Sequence, residues 1–504
     1  MIKKAIFFFT VLISTSSAFG QKTYHEQYRP QIHFSPAAHW MNDPNGLVYY
    51  RGVYHLFYQY YPKATVWGPM HWGHATSTDL VHWNNKPIAL YPDSLGLIFS
   101  GSAVVDINNT SGLGKNGQPP LIAIFTHHDQ AKEKDGKNDT ENESMAYSND
   151  GGNTWQKYAY NPVLKNPGIS DFRDPKVSWY APGKKWIMTL ATKDRITFYS
   201  SPNLKDWTKE SEFGETLGAH DGVWECPDLF PMTAADGKRM WVLIVNINPG
   251  GPQGGSATQY FTGDFDGKTF KPNNTDTRWA DQGTDEYAGV TWSNTGNRRI
   301  FLGWMSNWDY ATTVPTKAWR SAMTIPRDLK LVKVDTAYYL ASQPVKELGG
   351  LKDETKSLPA MAVKGEVNLT KILNRSDNQF QLSLSAKQLK GFTVTLSNGA
   401  GEKLIIGFDE KENSWFIDRT HAGESGFNKD FAKRFAVKRI AGTAGTDMTL
   451  VVDAASVELF ADKGLTVMTS IFFPKKPLNN ISVSSADGFS TSSISYAQLK
   501  SIWP

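Results

Sequence analysis

An all-β fold, a five-bladed β-propeller followed by a C-terminal β-sandwich, is the architecture this sequence predicts, on three observations. From about Tyr24 to Ala341 the chain is built of short β-branched and aromatic runs broken by Gly, Asn, Asp and Pro, with almost no sustained helical period. One element recurs within that region: a Ser or Asp, then polar turn residues, then an aromatic. From Phe380 onward, apolar and polar residues alternate at period two, the pattern of sheets with one buried face.

The recurring element appears as Ser77-Thr-Asp-Leu-Val-His-Trp83, Ser148-Asn-Asp-Gly-Gly-Asn-Thr-Trp155, Ser200-Ser-Pro-Asn-Leu-Lys-Asp-Trp207 and Asp264-Phe-Asp-Gly-Lys-Thr-Phe270. Its spacing of roughly fifty to seventy residues fits one four-stranded unit plus loops, so about three hundred residues make roughly five units. Radial blades manage sheet edges and leave a central cavity, which makes a propeller over 24–345 the economical reading. A long meander or sandwich with convergent turn sequences is the alternative.

Before this region, Met1–Gly20 has the parts of a secretory signal peptide: Lys3-Lys4, an apolar segment Ala5–Ile13, and small residues ending Ala18-Phe19-Gly20. The apolar run is too short to span a bilayer, so the expectation is an exported protein, periplasmic or secreted, with no membrane insertion. Cys226 is the only cysteine, which excludes an intrachain disulfide. The formal charge of +4 on 504 residues, with no basic block interleaved with aromatics, gives no reason to expect nucleic acid. The 17 Trp, 20 Tyr and 27 Phe are a rich supply of flat rings suited to stacking on sugars as well as to a core.

The first chemical signal is Trp40-Met41-Asn42-Asp43-Pro44-Asn45-Gly46, read as an acidic turn between aromatic runs, with Asp43 held at a strand end. Behind it, Leu47-Val-Tyr-Tyr and Val53–Gln59 read as a hairpin turning at Arg51-Gly52. Asp171-Phe172-Arg173-Asp174-Pro175 and Trp224-Glu225-Cys226-Pro227-Asp228 are two further acid–proline motifs. Taken alone, the first is as readily an ordinary turn, and the other two are more readily a surface pairing and a surface Glu near a strand end. As a set from different thirds of a propeller, they can close on one cavity, where two carboxylates flanking a glycosidic oxygen supply a nucleophile and a general acid. Burial between Trp224 and Cys226 favours a protonated Glu225, as a proton donor requires.

The remaining motifs carry less. His71-Trp-Gly-His74 and His127-His128-Asp129 could be metal ligands, but three-residue spacing on a strand sends side chains to opposite faces. Gly250–Gly255 lacks the Lys-Ser/Thr of a phosphate loop, and Ser100 lacks nucleophile-elbow spacing. Lys346–Pro359 turns rich in Lys, Glu, Gly and Asp and reads as a linker over 346–360, with a structural sandwich at 361–504.

With these residues in view, the chain resembles glycoside hydrolase family 32, the invertase, inulinase and levanase family. The resemblance runs through Trp40–Gly46, Phe57–Pro62, Trp67–Ala75, Phe99–Ser102, Arg173–Pro175, Glu225-Cys226 and Gly303–Met305. It implies a five-bladed propeller joined to a sandwich, and a retaining mechanism on β-fructofuranosides without metal or cofactor. Asp43 resembles the nucleophile, Glu225 the acid/base, and Asp174 with Arg173 the pair that steadies the transition state. Asn42, Gln59, Trp67, Trp72, Phe99, Ser100 and Trp304 match positions lining the fructose subsite. Tyr60-Tyr61-Pro62 departs from the Asn-Pro of many sucrose-cleaving members, while Trp67–Trp72 and Trp304–Tyr310 look more like exo-acting fructan hydrolases. Asp285-Glu286-Tyr287-Ala288 departs from the usual Asp-Phe-Tyr-Ala. The expected substrates are fructan (levan or inulin) and sucrose, and export argues against a phosphorylated sugar. An endo-acting enzyme, a fructosyltransferase using the same acids and a non-catalytic fructan-binding propeller are the rival readings.

Overall fold

The computed structural model describes residues 24–503, so the expected signal peptide at 1–20 lies outside the described residues. Between His39 and Pro344 lie five antiparallel sheets, each with four main strands in chain order. They begin with His39–Tyr50, Leu97–Val105, Phe172–Tyr180, Val223–Thr233 and Tyr287–Thr291. These five first strands pack against one another in ring order, the last returning to the first. The sheets are therefore five blades around an axis, and the open meander is excluded. The ring is closed by Trp319–Arg320, which pairs parallel with His39 and Trp40, and by a parallel bridge from Val48 to Ser293.

The recurring sequence element has one structural place. In each of the first four blades it joins the third strand to the fourth, as Ser77 ends His71–Ser77 and Trp83 precedes Asn84–Leu90. Its acid or amide caps the turn: Asp79 Oδ1 accepts from the Val81 and His82 amides at 3.1 and 2.9 Å, and Asp266 Oδ1 from Lys268 and Thr269 at 2.8 and 2.7 Å. The fifth blade makes the same connection between Arg327–Val334 and Ala337–Pro344 with only Asp335 and Thr336, and carries no such element.

Strands buried on both faces by neighbouring blades, such as Leu121–His128, show no alternation. The C-terminal half differs. Two six-stranded sheets pack face to face, and Phe380–Ala386 and Phe392–Ser397 bury every second side chain, as their period-two pattern predicts.

The segment expected to be a linker at 346–360 is part of the folded structure. Lys346–Leu351 is a 3-10 turn that buries Leu348 and Leu351, and Lys352–Leu358 pairs with Ser493–Leu499 as the edge strand of one sandwich sheet. Its charges are those of a solvent-facing edge, where Lys, Glu and Asp discourage further pairing, and this is why the stretch reads as linker.

Candidate active site

Each of the five innermost strands carries a β-bulge, two residues facing one, and the first three bulges supply Asn42, Asp43, Phe99, Ser100 and Asp174 to the pocket. Asn42 and Asp43 face Gln59, and Phe99 and Ser100 face Thr126. Asp174 and Pro175 face Leu190, Cys226 and Pro227 face Val245, and Ala288 and Gly289 face Gly303. A bulge leaves a ladder amide unused, so proline is tolerated there, and it re-aims the neighbouring side chain. The acid–proline motifs are thus the chemical trace of bulged inner strands. Asp174 and Cys226 take the left-handed conformation, at φ 66° and 42°. The stretch Trp40–Gly46, expected as a turn, runs instead within the bulged strand His39–Tyr50; the hairpin turn at Arg51-Gly52 stands as expected.

The three acids meet in one pocket of about 370 Å³. Asp43 Oδ2 accepts from Ser100 Oγ at 2.6 Å, and its Oδ1 from Asn42 Nδ2 at 3.0 Å. Asn42 is fixed in turn by Trp40 Nε1 at 2.7 Å. The Cys226 thiol lies 3.5 Å from both Asp43 Oδ2 and Asp174 Oδ2, and the Cys226 amide donates to Asp174 Oδ2 at 3.0 Å. Glu225 Oε1 accepts from Arg173 Nη2 at 3.0 Å and Nε at 3.2 Å, while Tyr287 OH donates to Oε2. Arg173 Nη1 also bonds Asp171 at 2.6 Å and Glu141 at 3.2 Å.

Burial raises the Glu225 carboxyl above its ordinary range against the pull of Arg173, and the charge of Asp43 pushes the same way. Burial, with Glu225 and Asp43 nearby, likewise raises Asp174. Burial, with Asp174 and Asp43 beside it, raises the Cys226 thiol well above its ordinary range, so its single proton faces both carboxyl groups.

Of the residues expected in the sugar subsite, Asn42, Gln59, Trp67, Phe99, Ser100 and Arg173 line this pocket beside the three acids. Trp72 and Trp304 do not. Both are buried, Trp72 donating Nε1 to Phe99 O at 2.9 Å and Trp304 to Met41 O at 3.1 Å, so they brace the strands behind the wall. The wall ring is Trp308, stacked on Trp40 at 5.7 Å and absent from the expectation. The structure separates the two: Trp304 lies inside the strand Ile300–Met305, whereas Trp308 lies in the loop beyond its end. Asp171, two residues before Arg173 and on its side of the chain, was also missed.

The histidine motifs have separate environments. His74 contacts His55 at 3.1 Å, His127 contacts Ser144 at 2.7 Å, and His128 stacks on Phe99 at 4.4 Å in the pocket wall. In the Asp285–Ala288 segment, Tyr287 reaches Glu225, and Glu286 points away into the protein. A Cβ on Gly303 would lie 2.1 Å from Glu286 Oε1, and neither carboxyl oxygen has a hydrogen-bond partner among the described residues. Burial, then the charge of Asp281, lifts Glu286 to about 8.

Carboxyl groups from different blades, meeting under aromatic rings in a small polar pocket, make the chemistry of an O-glycosyl hydrolase. The chain belongs to glycosyl hydrolases family 32: the family's N-terminal domain matches residues 33–344 and its C-terminal domain residues 347–501. It is 44% identical to a levanase of Bacillus subtilis, over 98% of this chain and 74% of that one, and 38% identical to an extracellular exo-inulinase of Aspergillus awamori, over 97% and 96%. The crystal structure of exo-inulinase from Aspergillus awamori superposes with a TM-score of 0.87 at 36% identity, covering 95% of this chain and all of that one. A fructofuranosidase from Schwanniomyces occidentalis complexed with fructose gives 0.84 at 33%, covering 95% and 99%.

Proposed function

We propose that the protein is exported and removes terminal β-D-fructofuranosyl residues from fructans of the levan or inulin type, and from sucrose, with retention of configuration. The observation that carries this reading is the position of Cys226, in hydrogen-bond reach of Asp43 and Asp174 while its neighbour Glu225 enters the same pocket. Asp43, aimed by Asn42 and Ser100, attacks the anomeric carbon as Glu225 passes its proton to the leaving oxygen. The fructosyl ester on Asp43 is then hydrolysed by a water that gives its proton to Glu225, restoring both groups. Asp174 and Arg173 bind ring hydroxyls and steady the positive charge that develops on the sugar. Trp67, Phe99 and Trp308 exclude water and present their rings to the furanose.

A pocket of about 370 Å³, near the lower end of ligand sites, suits a chain end better than a polymer threaded through a groove. The extracellular exo-inulinase of Aspergillus awamori, similar over most of both chains, supports export and exo action alike. Parallel digestion of levan, inulin and sucrose tests the reading. Free fructose is expected from the first minutes with at least one of them; early oligosaccharides without fructose would replace exo with endo action.

A further inference from the structure

We propose that Arg419, a residue of the C-terminal sandwich, is a positioning residue for the hydrolase: it holds both the strand that presents Tyr287 to Glu225 and the loop that presents Trp308 to the pocket. The inference rests on the catalytic reading above and extends it across the domain boundary.

Arg419 lies on the strand Ser414–His421 and is fully buried, its guanidinium over the Phe431 ring at 3.9 Å. Nη1 donates to Asp285 Oδ2 at 2.6 Å, Nη2 to Tyr310 OH at 3.1 Å, and Nε to Phe431 O at 2.7 Å. Tyr310 OH donates in turn to Asp285 Oδ1 at 2.5 Å, which closes a triangle of three side chains. A planar fork with fixed donors sets both partners at once, which a single ammonium cannot do.

Two arms leave this triangle. Asp285 stands two residues before Tyr287, whose hydroxyl donates to Glu225 Oε2. Tyr310 stands two residues after Trp308, whose ring packs on Trp304 at 4.9 Å and lines the pocket. Asn307 Nδ2 donates to Thr284 O at 2.8 Å and ties the arms together. The other buried cluster between the domains, where Arg327 bonds Asp281 at 2.9 Å and Glu458 at 2.5 Å, includes no pocket residue. It serves as a control for interface stability alone.

Glu225 is faced by Arg173 and Asp174 of the third blade, Asp43 of the first and Tyr287 of the fifth, with Cys226 alongside. The hydrogen bond from Tyr287 favours the carboxylate, so loosening it moves the basic limb of kcat/KM upward. The test compares Arg419→Met, Arg419→Lys, Tyr310→Phe and Arg327→Met with the unaltered enzyme, reading kcat, KM, the pH profile and Tm on sucrose and a fructan oligosaccharide. Arg419→Met should lower kcat about tenfold and raise the basic limb by about half a unit, with partial recovery in Arg419→Lys. Tyr310→Phe should raise KM as Trp308 loosens, while Arg327→Met should lower Tm and leave the profile in place. A soluble Arg419→Met enzyme with only a lower Tm would overturn the proposal. If Arg419→Met does not fold, unchanged kcat, KM and profile in Tyr310→Phe would do the same. Absence of fructoside turnover by the unaltered enzyme would sink the hydrolase reading itself, a different failure.

Discussion

Cys226 holds its thiol between two carboxylates and its amide on one of them, so Asp43 and Asp174 are registered against each other through a single residue. Under the proposed mechanism, removing Asp43 or the adjacent Glu225 should cost far more than a weakened contact. Asp43→Asn and Glu225→Gln are each expected to lose on the order of 10²–10⁴ in kcat, and azide should restore turnover to Glu225→Ala. Folded variants with near-normal rates would take those residues out of the mechanism. As the proposed acid, Glu225 would donate its proton only while protonated, and its burial beside Asp43 should place the basic limb above the ordinary glutamate value of 4.5. Asp43→Asn removes one raising charge, so infrared titration of the Glu225 carboxyl should show it ionising at lower pH than in the unaltered enzyme. Glu286 has the opposite kind of role. Its folded pKa of about 8 exceeds the unfolded value of 4.5, so the stability it contributes is present below pH 4.5 and is lost as pH rises towards 8. Glu286→Gln should flatten that fall, a difference of a few kcal/mol between pH 5 and 8.5 in urea melts; parallel curves for the two proteins would contradict it.

At the level of the strand, the bulge decides what the sequence could reveal. The acid–proline motifs were legible because a bulge accepts proline, and proline stands out. The bulges at Phe99-Ser100 and Ala288-Gly289 have no proline in or beside them, and only the family resemblance pointed to Phe99 and Ser100. The family resemblance assigns Trp72 and Trp304 to the sugar subsite, yet both are buried behind it; strand position separates lining from bracing rings, and sequence alone does not mark where a strand ends. Gly46 shows how tightly the first bulged strand is packed. At φ 55°, a Cβ there would stand 2.6 Å from Phe57 Cδ2 and 2.8 Å from Trp72. Gly46→Ala should therefore destabilise by about 1–3 kcal/mol through overpacking and left-handed strain, measurable as a lowered urea midpoint. An unchanged midpoint would show that the strand relaxes freely.

For the whole molecule, the ring of blades was legible from repeated turns, because the third-to-fourth connections of the first four blades solve the same capping problem with similar residues. The start of the sandwich was not legible, since an exposed edge strand and a linker share a composition. Nor was the traffic across the domain boundary, because Arg419 and Asp285 are far apart in sequence and meet only in the fold. The two domains share buried ion clusters around Arg327 and Arg419, and breaking one partner of such a pair costs about 3–5 kcal/mol. They should therefore unfold together, in a single calorimetric transition; two resolved endotherms would contradict that coupling.

In the proposed mechanism Asp43 becomes covalently bonded to the sugar while Glu225 handles the proton. Mass spectrometry of the Glu225→Ala protein, quenched during reaction with an activated β-fructofuranosyl donor and digested, tests it most directly. One fructosyl group is expected on the peptide containing Asp43. Donor cleavage with that peptide unmodified, or the label on another carboxylate, would contradict it.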